Sequence, residues 1–385
     1  MNKGLSIWLD VLRCAAALAV LFGHLAHVRF TNGDFYVLRE INIASDAVVV
    51  FFVISGLVIA FAADRDGTPG IYAFNRITRL LSVVIPALIL TVILDAIGTQ
   101  ITPSAYPAPY YQPASYTDFL LRGVTLSTEW TGLFDRIRLG TNGPLWSLSY
   151  EVAYYILFGI AVFCRGIARV LGLGLVALIV GWPILALFPA WLLGVLVWRH
   201  VSTTPTDAIN PIFAWSLVFV PAVLLIAARR AGIPDILTEL TAAAVAPASH
   251  HVMLGYSDEV LWNSLIALAV ALHLAGIASV LRGRAFDMHT PRVRAIRWFA
   301  GGTFSIYAVH YPILHFLDAV LPADTPFYNF KMAVLTLAAC FCFAHLFERP
   351  IKAFRGFFVK VHIGRMLRAS LRQKNWNKSV DFEPM

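Results

Sequence analysis

Long apolar stretches recur from one end of the chain to the other, separated by short polar breaks. Ten of them read as membrane-spanning helices, at about 9–28, 43–63, 80–100, 146–163, 170–187, 188–199, 211–228, 259–281, 299–318 and 330–347. A run of about 20 apolar residues matches the hydrocarbon core of a bilayer. The fifth and sixth are short, and Pro183 and Pro189 interrupt them. Between the third and fourth, residues 101–145 open with ITPSAYPAPYYQPASY. Its prolines forbid a spanning helix, so it reads as a loop or lid at the membrane surface. The pattern predicts an all-α polytopic membrane protein with about ten transmembrane helices. No repeated half, glycine-rich phosphate loop or appended soluble domain is visible.

Composition supports this class. The 385 residues are 59% hydrophobic, with a mean hydropathy of +0.72, which excludes an ordinary soluble domain. A net charge of +8 would suit nucleic acid, but the basic residues cluster between apolar segments and in the tail. With both termini cytoplasmic, the inner segments hold 22 of the 30 Lys and Arg residues. Seven fall outside, among them the adjacent pair Arg229–Arg230, which runs against the bias. Lys331 sits at a boundary. These divisions predict a membrane domain over 1–350 and a basic cytoplasmic tail over 351–385. In the tail Arg355, Lys360, Arg365, Arg368 and Arg372 interleave with apolar residues, as in a helix lying on an anionic inner leaflet. Lys3 before an apolar run resembles a signal peptide. Asp10, Arg13 and the lack of a small-residue cleavage site favour an uncleaved first span. Cys14, Cys164, Cys340 and Cys342 lack metal-ligand spacing with histidine and read as packing residues; no metal is expected.

Polar groups inside the apolar segments are the candidates for chemistry. Arg13 and His24 lie eleven residues apart in the first segment, on one helical face and about 16 Å apart along the axis. Asp10 shares that face. Ionisable groups at membrane depth mark sites, but a snorkelling arginine and a packed histidine fit this helix equally well. The second segment has Asp46 near its outer end and Ser55-Gly56 inside, the glycine suiting close helix packing. Arg76 and Arg79, one turn apart, suit phosphate oxygens; the charge bias explains them as well. In WSLSYE, 146–151, Ser147 and Glu151 enter an apolar helix, and a buried Glu151 needs a cation or a proton. Arg13 and His24 are its candidate partners. His310 precedes Pro312 in the ninth segment. Glu348 and Arg349 in FERP read as an interfacial pair.

Together and in this order, these stretches resemble the acyltransferase-3 family of integral membrane acyltransferases, which includes O-antigen, exopolysaccharide, Nod-factor and macrolide O-acyltransferases. The resemblance covers about 5–350. It rests on the Arg-x10-His spacing of Arg13 and His24, FFVISG at 51–56, Arg76/Arg79, WSLSYE, and the Ser-Ile-Tyr-x-x-His run at 305–310. Thr303 stands where many members have Ser. The resemblance implies transfer of an acyl group, usually acetyl, from acyl-CoA to a hydroxyl of a glycan, lipid-linked sugar or similar acceptor, in a bacterial inner (cytoplasmic) membrane.

The residues suit that chemistry. His24 would be the general base, because histidine titrates near neutrality. Glu151 would orient it, as a carboxylate does in a triad. Arg76 and Arg79 would hold the donor's phosphates, and Arg13 its arm or its thioester carbonyl. Asp46, Ser147 and His310 are further site candidates. Acetyl-CoA or another acyl-CoA is the expected donor, and no nucleic acid is expected. The rival reading is a non-enzymatic transporter or flippase of lipid-linked glycan, in which intramembrane Arg, His and Glu relay ions or substrate.

The charge pattern yields a direct test of topology. In a background lacking the four native cysteines, cysteine at Ser115 should react with a membrane-impermeant thiol reagent in intact cells. Cysteine at Thr68 should react only after permeabilisation. The reverse labelling would place the Arg76/Arg79 pair outside and exclude it from a cytoplasmic donor.

Overall fold

The structure is a computed structural model and describes residues 1–203, 210–245, 250–322 and 324–360. Regular structure among the described residues is helical, apart from one bridge between Gln112 and Gly140. Thirteen helices organise the chain: α1 (Lys3–Leu25), α2 (Ile43–Asp66), α3 (Pro69–Ile101), α4 (Trp146–Phe163), α5 (Gly166–Val180), α6 (Trp182–Thr203), α7 (Pro211–Arg230), α8 (Ile233–Val245), α9 (Val260–Val280), α10 (Pro291–Ala300), α11 (Thr303–Val320), α12 (Tyr328–Phe343) and α13 (Ile351–Lys360). Among the described residues, eight helical segments are long and apolar enough to cross a membrane. The 15-residue α5 and the 18-residue α11 occupy the places of the fifth and ninth expected spans.

Local sequence explains where the helices begin and end. The Asn2 side chain caps α1 by accepting from Leu5 N at 2.7 Å. Gly67, at φ 67°, ends α2, and Thr68 followed by Pro69 starts α3. The fifth and sixth spans part at Gly181, not at Pro189. Gly181 has φ 83°, and a Cβ there would stand 2.1 Å from Thr131 Oγ1. Pro183 then lies in the first turn of α6, where its missing N–H is harmless, and Pro189 lies inside the helix without ending it.

The bundle has two ends. The N-terminal face carries the start of α1, the α2–α3 turn, α10 and α13. The loop face carries residues 26–42, 102–142, 250–259, 321–322 and 324–327. The main core runs through α1, α2, α4, α6 and α9; a second core joins α1, α3, α11 and α12. The outer surface is apolar, with Phe213, Phe219, Leu224 and Leu178 fully displayed. In water such a surface would be unfavourable; against lipid tails it is the expected exterior.

The tightest helix contact joins α2 to α6. A Cβ on Gly56 would lie 2.0 Å from Trp191 O, and one on Gly194 would lie 1.9 Å from Val53 O. Each backbone therefore enters the groove of the other, as expected of Gly56. Gly56→Ala and Gly194→Ala should each cost about 1–3 kcal/mol of stability by forcing the helices apart. Gly174→Ala, which meets open space, should leave the detergent melting temperature unchanged.

Candidate active site

His24, near the end of α1, and His310, in mid-α11, meet across the bundle. His24 Nδ1 lies 2.8 Å from His310 Nε2, and the rings are stacked at 5.0 Å between centroids. His310 is fully buried, while His24 retains an accessible edge. The tautomers follow from the partners. His310 Nδ1 faces only the carbonyl oxygens of Ile306, at 2.8 Å, and Tyr307, at 2.9 Å. Carbonyls accept, so Nδ1 carries the proton and Nε2 is an acceptor. His24 Nδ1 must then donate to it, which leaves His24 Nε2 with a free lone pair. This is the arrangement of an oriented base.

Pro312 connects this pair to the loop face. A proline inside a helix leaves the carbonyl four residues earlier without its N–H partner. Here that is Ala308 O, and Asn142 Nδ2 donates to it at 3.0 Å. The same amide donates to Thr91 Oγ1 on α3, also at 3.0 Å. The 102–142 segment thereby roofs the histidines. Thr141 binds Asp95 through its backbone N–H, at 2.9 Å, and its hydroxyl, at 2.6 Å. Tyr110 Oη lies 3.0 Å from His27 Nε2. Arg29 bonds Ala105 O, sits 3.3 Å from His315 Nε2 and pairs with Asp318 at 3.6 Å. Arg138 is 3.4 Å from Tyr110 O and 3.5 Å from Tyr256 Oη. The charges of Arg39 and Arg138 reach His24.

The other expected site residues lie elsewhere. Arg13 shares the α1 face but stands three turns from His24, 3.8 Å from Asp10 and 18% exposed. Glu151 touches neither Arg13 nor His24. Its Oε1 accepts from Ser55 Oγ and from Tyr155 Oη, each at 2.6 Å, and Trp191 Nε1 completes the cluster by donating to Ser55. Arg79 bonds Glu348 at 2.9 Å, and the other Glu348 oxygen accepts Ser305 N at 2.8 Å. Glu348 and Arg349 are therefore not a pair: Arg349 donates to Trp298 O and lies over its ring. Arg76 has its Nε buried without a hydrogen-bond partner. Ser147 and Tyr307 share a short 2.5 Å contact; Tyr307 donates to Pro144 O, so Ser147 donates to Tyr307. Asp46 binds Arg229 and accepts from Trp262 Nε1 at 3.2 Å. That pairing, with Arg229 over the Trp262 ring, explains an arginine on the outer side of the charge bias.

Sequence reading missed Asn142, Glu129, Arg138, His315 and Arg355. His315 follows His310 by five residues in a stretch already singled out, so the signal was present. Arg355, counted in the basic tail, instead returns to α3, donating to Thr78 Oγ1 at 3.1 Å and Asn75 O at 3.2 Å. Arg65, Arg76 and Arg79 lie within electrostatic reach of it. The tail beyond residue 360, with Arg365, Arg368 and Arg372, lies outside the described residues.

Glu129 lines a pocket of about 190 Å³ on the loop face. It is 5% exposed and 3.4 Å from Arg136 Nε. Burial pushes its carboxyl up from the ordinary 4.5 to about 7; Arg136, Arg138 and Arg122 pull against that. The folded state therefore holds this proton more tightly than the unfolded chain does. Its contribution to stability is complete below 4.5 and falls away as pH rises through about 7. Thermal unfolding of Glu129→Gln should lack that decline. Relative to the wild type, the variant should gain on the order of 3 kcal/mol above pH 7.

Comparison with known proteins gives a family. No curated protein and no solved structure matches the chain. The family model Acyl_transf_3, described as an acyltransferase domain, matches residues 6–345 and so includes both histidines, the arginine pair and the roof segment. The chain belongs to the acyltransferase-3 family and is a multi-pass membrane acyltransferase.

Proposed function

We propose that the chain transfers an acyl group, most simply acetyl, from acyl-CoA at the N-terminal face to a hydroxyl of a glycan or glycan-like acceptor at the loop face. In this reading it resides in a bacterial inner membrane with both termini cytoplasmic. The observation that carries it is the free lone pair on His24 Nε2, fixed by the His310 hydrogen bond.

His24 Nε2 takes the proton from the acceptor hydroxyl as its oxygen bonds the thioester carbonyl carbon. The tetrahedral intermediate then expels the CoA sulfur, breaking the C–S bond. The imidazolium returns its proton to the departing thiolate, leaving an O-acyl ester and free CoA thiol. His310 acts through His24 as a positioning residue, in the place expected of Glu151. Arg39 and Arg138 supply positive charge near the oxyanion that forms.

The donor's phosphates fit the cluster of Arg65, Arg76, Arg79 and Arg355, where Arg76 keeps an uncommitted donor and Glu348 holds Arg79 in place. On α3, Arg79 lies twelve residues before Thr91, which shares the level of Ala308 through Asn142. The two levels are thus about 18 Å apart, a span for the extended pantetheine arm. Arg13, about 16 Å from His24, fits along that arm and not at the carbonyl under attack.

With purified protein in detergent and no membrane gradient, His24→Ala should lower acyl transfer 10²- to 10⁴-fold while insertion and melting are preserved. His310→Gln, which keeps an acceptor for His24 Nδ1, should retain more activity than His310→Ala and shift the pH profile. Near-wild-type turnover in His24→Ala would remove it from the mechanism. Gradient-dependent movement of glycan without transfer would favour a flippase.

Arg76→Ala should raise the KM for acyl-CoA far more than that for the acceptor, by about 1.5–3 kcal/mol for one charged contact. Lysine should rescue it in part, lacking the fork. Arg79→Ala should also lower the melting temperature, because it strands Glu348. A change in membrane orientation alone would assign both arginines to topology.

A further inference from the structure

The pocket that Glu129 lines on the loop face is bordered by residues with polar atoms that no hydrogen bond uses. Asn142 is 2% exposed, and both of its N–H groups are spent on Thr91 and Ala308. Its Oδ1 is buried with no hydrogen-bond partner. Glu129 Oε2 and Arg136 Nε, buried and ion-paired with one another at 3.4 Å, make no hydrogen bond. All three residues line the same pocket. Buried polar atoms without hydrogen-bond partners are unfavourable, so their concentration in one hollow calls for a ligand.

The rest of the lining narrows the ligand's chemistry. Trp146 and Tyr256 stack at 4.2 Å and 5° to form an aromatic wall. Arg138 lines the hollow beside Tyr256, 3.5 Å from its Oη, and Gln112, also in the lining, is exposed. The open atoms are two acceptors, an amide oxygen and a carboxyl oxygen, beside a guanidinium donor. A phosphate or carboxylate would meet Glu129 and Asn142 oxygens with no hydrogen to offer. A compact molecule with several hydroxyls and an apolar C–H face satisfies them all. Neither histidine lines the hollow, but its residues reach them: Asn142 grips Ala308, two residues before His310 on α11, and the charge of Arg138 reaches His24.

We propose that this pocket, between the 112–146 segment and Tyr256, is the acceptor site: it seats one sugar unit, whose hydroxyls donate to Glu129 and Asn142 and whose C–H face lies on the Trp146–Tyr256 wall. The inference rests on the acyl-transfer reading for the meaning of the site, but the binding it asserts is measurable without the reaction. Glu129 and Asn142 bind the sugar; His24 alone takes the proton from the hydroxyl that attacks.

The probe is surface glycan isolated from cells that lack this chain, so that its hydroxyls carry no acyl group added by it. Without any donor, this glycan should raise the melting temperature of the purified wild-type protein. It should not raise that of Glu129→Gln or of Gln112→Trp, each compared with its own glycan-free state. The Gln112 side chain is exposed, so the bulky substitution blocks the mouth without touching the core. With acetyl-CoA added and free thiol followed, both variants should raise the half-saturating glycan concentration at least tenfold and that of acetyl-CoA less than twofold. Equal glycan stabilisation of wild type and both variants, or no stabilisation of the wild type, would overturn the proposal. Glycan stabilisation that the variants lose, with no thiol release from acetyl-CoA, would keep the pocket and remove the donor reading.

Discussion

A histidine can act as a base through one nitrogen only when the proton on the other is committed. Here the commitment starts with two backbone carbonyls. Ile306 O and Tyr307 O hold the proton on His310 Nδ1, which makes His310 Nε2 an acceptor and orients His24. No buried anion is needed, unlike in the Ser-His-Asp arrangement. That suits a bundle core, where an ionised carboxylate would itself need a cation close by. The requirement passes outward: α11 must be straight enough to present those carbonyls, and α1 must deliver His24 to the same level.

The same economy of charge shapes both ends of the bundle. Carboxylates at depth are tied to arginines, as in Glu348–Arg79 and Asp46–Arg229, or to hydroxyls, as in Glu151 with Ser55 and Tyr155. Arginine is left in excess at the N-terminal face, around Arg76, and above His24, around Arg39 and Arg138. The two excesses flank the aromatic and aliphatic core. They would suit the polyanionic donor and the oxyanion intermediate proposed above. Ser55 and Gly56 show how adjacent residues divide such tasks: the hydroxyl binds Glu151, and the missing side chain lets α6 approach.

The class of fold was legible because lipid imposes length and composition on every span. Edges set by backbone conformation were less so: Gly181 ends α5 through a positive φ and a close threonine, whereas the prolines nearby drew attention and end nothing. His24 and His310 stood out as polar groups in apolar runs. Their pairing was hidden by a sequence separation of 286, and helical periodicity reports which face a residue occupies, not which helix it meets. Glu151 was assigned a histidine for the same reason. Glu129 and Asn142 lie in a segment without periodicity, where nothing local distinguishes a buried carboxyl from a solvated one. Their placement depends on Thr141–Asp95 and Asn142–Ala308, contacts between distant parts of the chain.

The bond from Asn142 to Ala308 also governs traffic. Because Pro312 has no N–H to give, swinging the roof aside would strand a carbonyl in the core and, with it, the Asp95 and Thr91 contacts. Each stranded group is unfavourable by about 1–3 kcal/mol, so the roof is a fixed lintel. Whatever is seated beneath that lintel meets a hollow whose dimensions the lintel does not adjust.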